Sequence, residues 1–500
     1  MSVARLSFVV VLLALAGSPA FAANDESAGS WQMLVLTSPT QIQVAPPLST
    51  GSVDYQAELT SIKSAQSRLT DEQRRNIDYW SKGGVVRWNE ILLELVARAD
   101  LPPAPAADGS YPAPDANNPF ADPRFPFANP PYASRAYSYV TVAQFEALKS
   151  AWYYKYLYAR PAPSVVDSGV KALIPTNGLP SYPSEDAVVS GVTAELLKLL
   201  FPADIEFITR KAGEQRTAAI QAGKATASDI AAGLALGQAV AAVFTARAGA
   251  DGMRAAAGSP ALFASLAAAA TARGETPWHS METPPRPPML AAFGSVRAWL
   301  MTPADVVTER PPAPPSTSSG QMQRELAEVK DAVDHLTREQ LAIVYKWADG
   351  ASTPTPPGHW NFIALPYLAD AKWSEVRTAR ALALLNMTMH DSAVACWDAK
   401  FVYDNPRPSQ LDPEIRTVIG LPNFPSYMSG HSTFSAAAAS VLSYLFPGGA
   451  SYFDAQMEEA AISRLYGGIH YRSDIEVGKQ VGRRVGGYAV TFARLDGADR

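Results

Sequence analysis

The chain reads as an all-α protein built from two related helical bundles, and three features point there. Its apolar stretches are rich in Ala, Leu, Glu and Arg, with apolar residues recurring mostly at three and four positions, the helical period. Alternating patterns of the strand kind are nearly absent. The second half of the chain also repeats the first in outline. With 500 residues, 47% apolar and 18% charged, the chain can bury a sizeable core, and a disordered or collagen-like polymer is excluded.

Taken in order, residues 1–22 carry one positive charge (Arg5), an apolar run from Phe8 to Ala16, and Ala20-Phe21-Ala22, a small-x-small cleavage site. This is the pattern of a secretory signal peptide, so the mature protein is expected to be periplasmic or secreted, with no membrane span after cleavage. Two segments, Pro102 to Pro131 and Pro277 to Pro315, hold ten prolines each, a density that helices and central strands do not tolerate. Helical periodicity marks Asp186–Leu200, Ala227–Ala250, Gln321–Trp347, Glu375–Tyr403 and Ser432–Leu445. The expected organisation is a signal peptide (1–22), an N-terminal degenerate bundle (23–275), a proline-rich junction (276–320) and a C-terminal catalytic bundle (321–500).

The repeat rests on several anchors. "LTDEQRRNIDYWSKG" from Leu69 lines up with "LTREQLAIVYKWADG" from Leu336, and Arg87-Trp88-Asn89 with His359-Trp360-Asn361. Trp152 and Lys155 match Trp397 and Lys400, an offset of 245 residues that returns where Ser228-Asp229-Ile230 meets Ser473-Asp474-Ile475. A chance alignment of two Ala-rich stretches is the competing explanation.

Composition narrows function. Against 42 Lys+Arg stand 47 Asp+Glu, so nothing attracts nucleic acid or anionic lipid in general, and any anion must be held by a local cluster. The one cysteine, Cys396, excludes an internal disulfide and a cysteine-based zinc or iron–sulfur site.

Such a cluster is present in the second half, in three pieces. Lys400 and Arg407, the latter followed by Pro408, are seven apart, about two helical turns and so on one face as far as Pro406 allows. Ser429-Gly430-His431 opens an Ala-rich helix, where free amides and the helix dipole favour an anion and glycine lets the backbone come close. Ser463-Arg464 is followed at a distance by His470, with Asp474 four residues further, on one helical face with it. Three permanent cations suit a tetrahedral oxyanion, and His431 suits acid/base work near neutral pH. Taken singly, each piece also fits an ordinary helix end or surface charge. Together they predict three cationic side chains, a helix's first amides and two imidazoles around one four-coordinate guest.

Lys-x6-Arg-Pro, Ser-Gly-His and Ser-Arg-x5-His resemble the signature of the superfamily of type 2 phosphatidic acid phosphatases and vanadium-dependent haloperoxidases. Met428 stands where that signature has proline. The resemblance implies that Lys400, Arg407, Ser429, Gly430 and Arg464 hold oxyanion oxygens. It also implies that His431 is acid/base, and that His470, its ring held by Asp474, is either the phosphorylated nucleophile or the vanadium ligand. "TPPGHWN" from Thr355, "DSAVACWDAK" from Asp391 and "FPSYMSGHSTFSAA" from Phe424 are more similar to the haloperoxidase branch. In that branch an aromatic pair lines the halide side of the pocket, and Trp397 and Phe424 stand at the matching positions; ordinary core packing is the other reading of both.

The implied activity is halide oxidation by hydrogen peroxide with vanadate as cofactor. The alternative is a soluble periplasmic phosphomonoesterase with a histidine nucleophile and no cofactor, and a non-catalytic oxyanion binder is the third reading. Small molecules are the expected partners, not nucleic acid, and oligomeric state is not readable. In the first half Ser184-Glu185-Asp186 replaces Ser-Gly-His, and Ala219 and Ala225 replace Arg464 and His470. That bundle is expected to be catalytically empty.

Overall fold

A computed structural model of the chain describes residues 25–101, 107–110 and 130–499. The leader pattern at 1–22 and most of the first proline-dense segment lie outside these residues. Among the described residues every regular element is helical. Seven helices frame the first half, besides Pro163–Val166 and Pro260–Ala272: α1 (Val53–Gln66), α2 (Asp71–Trp80), α3 (Gly84–Ala99), α4 (Pro130–Tyr158), α5 (Glu185–Leu200), α6 (Ile205–Gln221) and α7 (Ala227–Gly249). Seven more repeat the order in the second: α8 (Gly320–Asp334), α9 (Arg338–Lys346), α10 (Thr355–Ala371), α11 (Glu375–Tyr403), α12 (Gly430–Leu445), α13 (Ala450–Tyr466) and α14 (Arg472–Leu495).

Local chemistry sets the boundaries. Thr70 with Gln73, and Thr337 with Gln340, form reciprocal capping boxes at the starts of α2 and α9. The second of these divides the stretch Gln321–Trp347, which periodicity alone reads as one helix, into α8 and α9.

Helices α4 and α11, 29 residues each and so about 43 Å long, lie against one another at the centre, with α5 and α7 packed on α4 and α12 and α14 on α11, while α6 packs on α5 and α13 on α12. One apolar cluster runs through both halves. Asn89 and Asn361, equivalent in the repeat, hydrogen-bond each other at 3.0 Å, and Asn361 also donates to Asn386 at 2.8 Å. The repeat thus has a structural axis, where matched residues meet. Helix α7 is long and apolar enough to cross a membrane by length and composition, and here it lies on α4 and α5.

Each wrapped pair touches through glycine. A Cβ at Gly233 or Gly237 of α7 would fall 2.4 Å from the carbonyls of Ser184 and Val188. A Cβ at the equivalent Gly478 or Gly482 of α14 would fall 2.9 or 2.3 Å from the carbonyls of Ser429 and Thr433. This close approach fixes the start of α12, where the candidate site lies.

Part of the segment expected as a proline-rich junction packs on α11. A short 3-10 turn, Phe293–Ser295, places Gly294 against the backbone of Asp398 in α11, and the Asp391 carboxylate accepts the amides of Trp299 and Leu300 at 2.7 and 2.8 Å. The first half has the same strap. Its turn Glu26–Ser30 places Gly29 against Tyr153 of α4, and Glu146 accepts the amides of Leu34, Val35 and Leu36. Each strap also reaches across to the other half: Gln32 N–H donates to the Asp496 carbonyl, and Arg297 N–H to that of Asp251.

Candidate functional site

Lys400 sits one turn before the end of α11, which stops because Asp404 turns left-handed (φ 51°). Arg407 is therefore not on the helical face of Lys400, as the seven-residue spacing suggests; it follows in an extended conformation, capping the short helix Pro408–Leu411. The chain returns through residues 422–428 to Ser429, the N-cap of α12, whose side chain accepts from Ser432 N–H. The Tyr427–Met428 peptide is cis, as is Tyr182–Pro183 in the first half, so Met428 occupies the turn in proline's place. Arg464 ends α13. His470 precedes α14 rather than sharing its face with Asp474, which is the third residue of that helix.

These pieces converge. The Arg407 guanidinium donates to the carbonyls of Phe424 (3.0 Å) and Ile469 (2.8 Å), and lies 3.0 Å from His470 Nε2. His470 Nδ1 is 2.8 Å from Asp474 Oδ2, which also accepts the Ser426 hydroxyl at 2.5 Å and the Tyr471 amide at 3.3 Å. Burial, followed by the charges of Arg407 and Lys400, holds His470 well below its ordinary pKa. A neutral ring that donates an Nδ1–H hydrogen bond to Asp474 leaves a lone pair on Nε2. Burial raises Asp474 to about 6 against the opposing pull of Ser426 and Lys400, so it is ionised at neutral pH.

Lys400 gives its three N–H bonds to the carbonyls of Pro425, Ser426 and Met428, at 2.9, 2.9 and 2.6 Å. Arg464 donates to Ser463 Oγ at 2.8 Å and to the Trp347 carbonyl. Burial depresses all three basic groups, Arg407 and Arg464 to about 10, and Lys400, with added repulsion from Arg407, to about 7. None forms an ion pair with a carboxylate among the described residues, and Arg407 Nη2 is buried without a hydrogen-bond partner. Burying three cations on carbonyls alone is costly, and an anion would offset that cost.

A cavity of about 560 Å³ opens beside them, with Gly430, His431, Arg464, His470, Trp397 and Phe424 on its wall. Lys400, Arg407, Ser429 and Asp474 stand behind that wall. A Cβ at Gly430 would meet only Phe434 (3.7 Å) and Trp397 (4.0 Å), so protein packing does not demand glycine there. Its missing side chain leaves space toward the cavity. Trp397 and Phe424 lie 5.0 Å apart between centroids, and the Phe424 ring underlies both Lys400 and Arg407 at 5.0 Å.

Sequence reasoning missed Asp349, in the turn after α9. It accepts from His359 Nδ1 at 3.0 Å and lies 3.4 Å from His431 Nε2, which is buried without a hydrogen bond. Burial pushes Asp349 up, yet the two imidazoles hold it well below the usual carboxylate range. Burial and the Arg464 charge push His431 down to about 4, which makes it a proton acceptor at neutral pH. The only sequence signal for Asp349 is an Asp-Gly turn between two tryptophan-bearing helices. Ser426, three before the motif serine, was likewise unmarked.

The first half keeps the framework and cancels the charge. Lys155 donates to Pro180 O as Lys400 does to Pro425 O, but it also pairs with Glu185 at 2.7 Å. Arg160 pairs directly with Asp229, the counterpart of Asp474, because Ala225 leaves no imidazole between them. Lys224 closes on Asp186 at 2.6 Å and Glu185 at 3.2 Å.

Residues 379–496 match the PAP2 superfamily. No curated protein matches the chain at a significant level. Among solved structures, a bacterial vanadium-dependent iodoperoxidase aligns over 81% of this chain and 96% of its own, with a TM-score of 0.59 and 21% identity. A holo-type bacterial vanadium-dependent chloroperoxidase aligns over 77% and 96%, with a TM-score of 0.52 and 13% identity. At such identities the likeness is one of fold. A segment of the second half, residues 379–496, thus matches the PAP2 superfamily, and the chain as a whole has a two-bundle all-α fold similar to that of solved vanadium haloperoxidases.

Proposed function

We propose that this protein is a vanadate-dependent, haloperoxidase-like enzyme that oxidises halide with hydrogen peroxide. The observation that carries the reading is the contrast between the halves: Lys400, Arg407 and Arg464 are buried without carboxylate partners, whereas Lys155 and Arg160 are each neutralised by one. That contrast suits an anionic guest in the second half.

The residues present fit vanadate. Arg407 Nη2 has an unused donor, Gly430 leaves room at the start of α12, and His470 presents Nε2 with its other nitrogen fixed by Asp474. Arg407, Ser429, Gly430 and Arg464 would hold the oxygens, joined by Lys400 once it turns an N–H away from one of its carbonyls, and His470 would hold the metal. Bound vanadate supplies Lewis-acid activation of peroxide without haem or thiol. With the anion bound, Arg407 would redirect a hydrogen bond from His470 Nε2 to it, and His431, neutral at pH 7 beside ionised Asp349, would accept a proton from hydrogen peroxide. Trp397 and Phe424 give the cavity an aromatic side suited to a weakly hydrated halide.

The same oxyanion site suits a phosphomonoesterase, with His470 Nε2 attacking phosphorus and His431 serving the leaving oxygen. The aromatic pair and the fold likeness across both bundles favour the peroxidase. Halogenation of an organic acceptor with vanadate and peroxide, lost in His470→Ala, is the expected result. Aryl-phosphate hydrolysis inhibited by vanadate, without halogenation, would establish the alternative, and neither activity would leave only anion binding. The first bundle is read as a degenerate copy, and the location as periplasmic or secreted, to be checked by N-terminal sequencing of the exported protein.

A further inference from the structure

We infer that Asp100, contributed by the first half, is a specificity-determining residue of this cavity: it offers a hydrogen-bond donor to an organic guest and, once ionised, excludes anions. This rests on the oxyanion reading above.

Asp100 ends α3, is buried, and lines the same cavity as His431 and His470. Its backbone is tied to the second half, since the Asp100 carbonyl accepts Ser352 N–H at 2.7 Å. The carboxyl receives the Thr353 amide and forms no ion pair among the described residues. Arg98, two residues before it, turns instead to Asp204 (3.1 Å) and Glu94 (3.7 Å).

The groups around it offer no positive charge to spare. From α4 comes Tyr137, whose hydroxyl donates to Pro354 O at 3.1 Å, and from the turn after α9 comes Asp349. Elsewhere on the wall, Arg286 is held by Glu282 through two 2.6 Å bonds, Arg464 by its own partners, and Tyr345, His431 and His470 complete the titratable set. Burial raises Asp100 to about 8; the Thr353 amide opposes this and Asp349 adds to it. One wall therefore carries two carboxyls in opposite states: Asp349 ionised between imidazoles, and Asp100 protonated. Environments that separate two carboxyls in this way mark acid and base roles.

The cavity exceeds a four-oxygen anion, and Pro130, Met289, Val418, Ile419 and Leu421 make much of the remaining wall apolar. The guest beside Asp100 is thus an uncharged organic molecule with a hydrogen-bond acceptor, such as a carbonyl or phenol oxygen.

The test uses the full chain, wild type, Asp100→Asn and Asp100→Ala, with folding checked by thermal melting. Tungstate keeps a constant charge from pH 6.5 to 9.5, so its calorimetric affinity reports the protein alone. Wild type should lose roughly three- to tenfold more affinity than Asp100→Asn as pH rises through 8, as one added charge in a partly dry cavity requires. At pH 7, Asp100→Asn should keep KM for a neutral acceptor within about twofold, whereas Asp100→Ala raises it about fivefold with kcat unchanged. Matching pH profiles for wild type and Asp100→Asn, or an unchanged KM in Asp100→Ala, would overturn the assignment. Wild type that binds no tungstate at any pH would instead remove the oxyanion reading itself. If Asp100→Ala does not fold, the pH profile of Asp100→Asn decides.

Discussion

Replacing Gly430 by Glu rebuilds in the second half what the first half already has. Glu185 is the counterpart of Gly430, and it neutralises Lys155 at 2.7 Å. A Cβ at Gly430 meets nothing closer than 3.7 Å, so the helix start accepts the new side chain. Its carboxylate would then stand among Lys400, Arg407 and Arg464 in the space meant for the guest. One unit charge about 4 Å from another, at an effective dielectric constant near 20, is worth about 4 kcal/mol. Even half of that, added to direct occlusion, predicts at least a thirtyfold loss of oxyanion affinity. Calorimetric titration with inorganic phosphate and orthovanadate measures it. Gly430→Ala serves as the control for bulk without charge and should lose far less. If folded Gly430→Glu binds phosphate within threefold of wild type, the three cations are not the anion's seat.

Lys155→Met should leave kcat per folded molecule unchanged while lowering the melting temperature, because Glu185 keeps only Lys224 at 3.2 Å and a broken buried pair costs about 3 kcal/mol; a tenfold loss of kcat would contradict a catalytically empty first half. Asp349→Asn removes a carboxylate whose folded pKa lies below its unfolded one, so the stability it supplies is present above about pH 4 and fades as pH falls further. Acid unfolding followed by circular dichroism should show a shallower slope in that variant, and the acid limb of kcat/KM should move to lower pH as His431 loses a supporting charge. Asp391→Asn leaves one of the amides of Trp299 and Leu300 unsatisfied, about 1–3 kcal/mol, and limited proteolysis should then cut between 290 and 302 first.

Much of this was legible because short motifs encode local chemistry. Ser429 caps, Gly430 opens a helix, and His470 stands four residues before Asp474, so their grouping could be read from spacing and residue type. The Lys400–Arg407 spacing misled as geometry, since Asp404 ends the helix and Arg407 arrives by an extended route. Asp349 and Asp100 were hidden for another reason: each meets its surroundings, His431 for the one and Thr353 for the other, only through the fold, and an isolated Asp at a helix end looks like a cap. The repeat was visible at Trp88-Asn89 and Trp360-Asn361, but its extent was not. The straps share little sequence beyond a Gly-Ser pair, and what repeats is a backbone pressed on a helix and a carboxylate beneath it.

Because each strap is tied to the end of the opposite half, the described chain closes on itself. Arg377 grips Asp25 at 2.5 Å and the Ala498 carbonyl at 2.9 Å, so the first and last described residues are neighbours. Element order is therefore cyclic. A circular permutant that joins these ends through a short linker and opens at the exposed turn near Gly274 would keep both straps on their helices. It should fold to the same architecture with the second bundle leading.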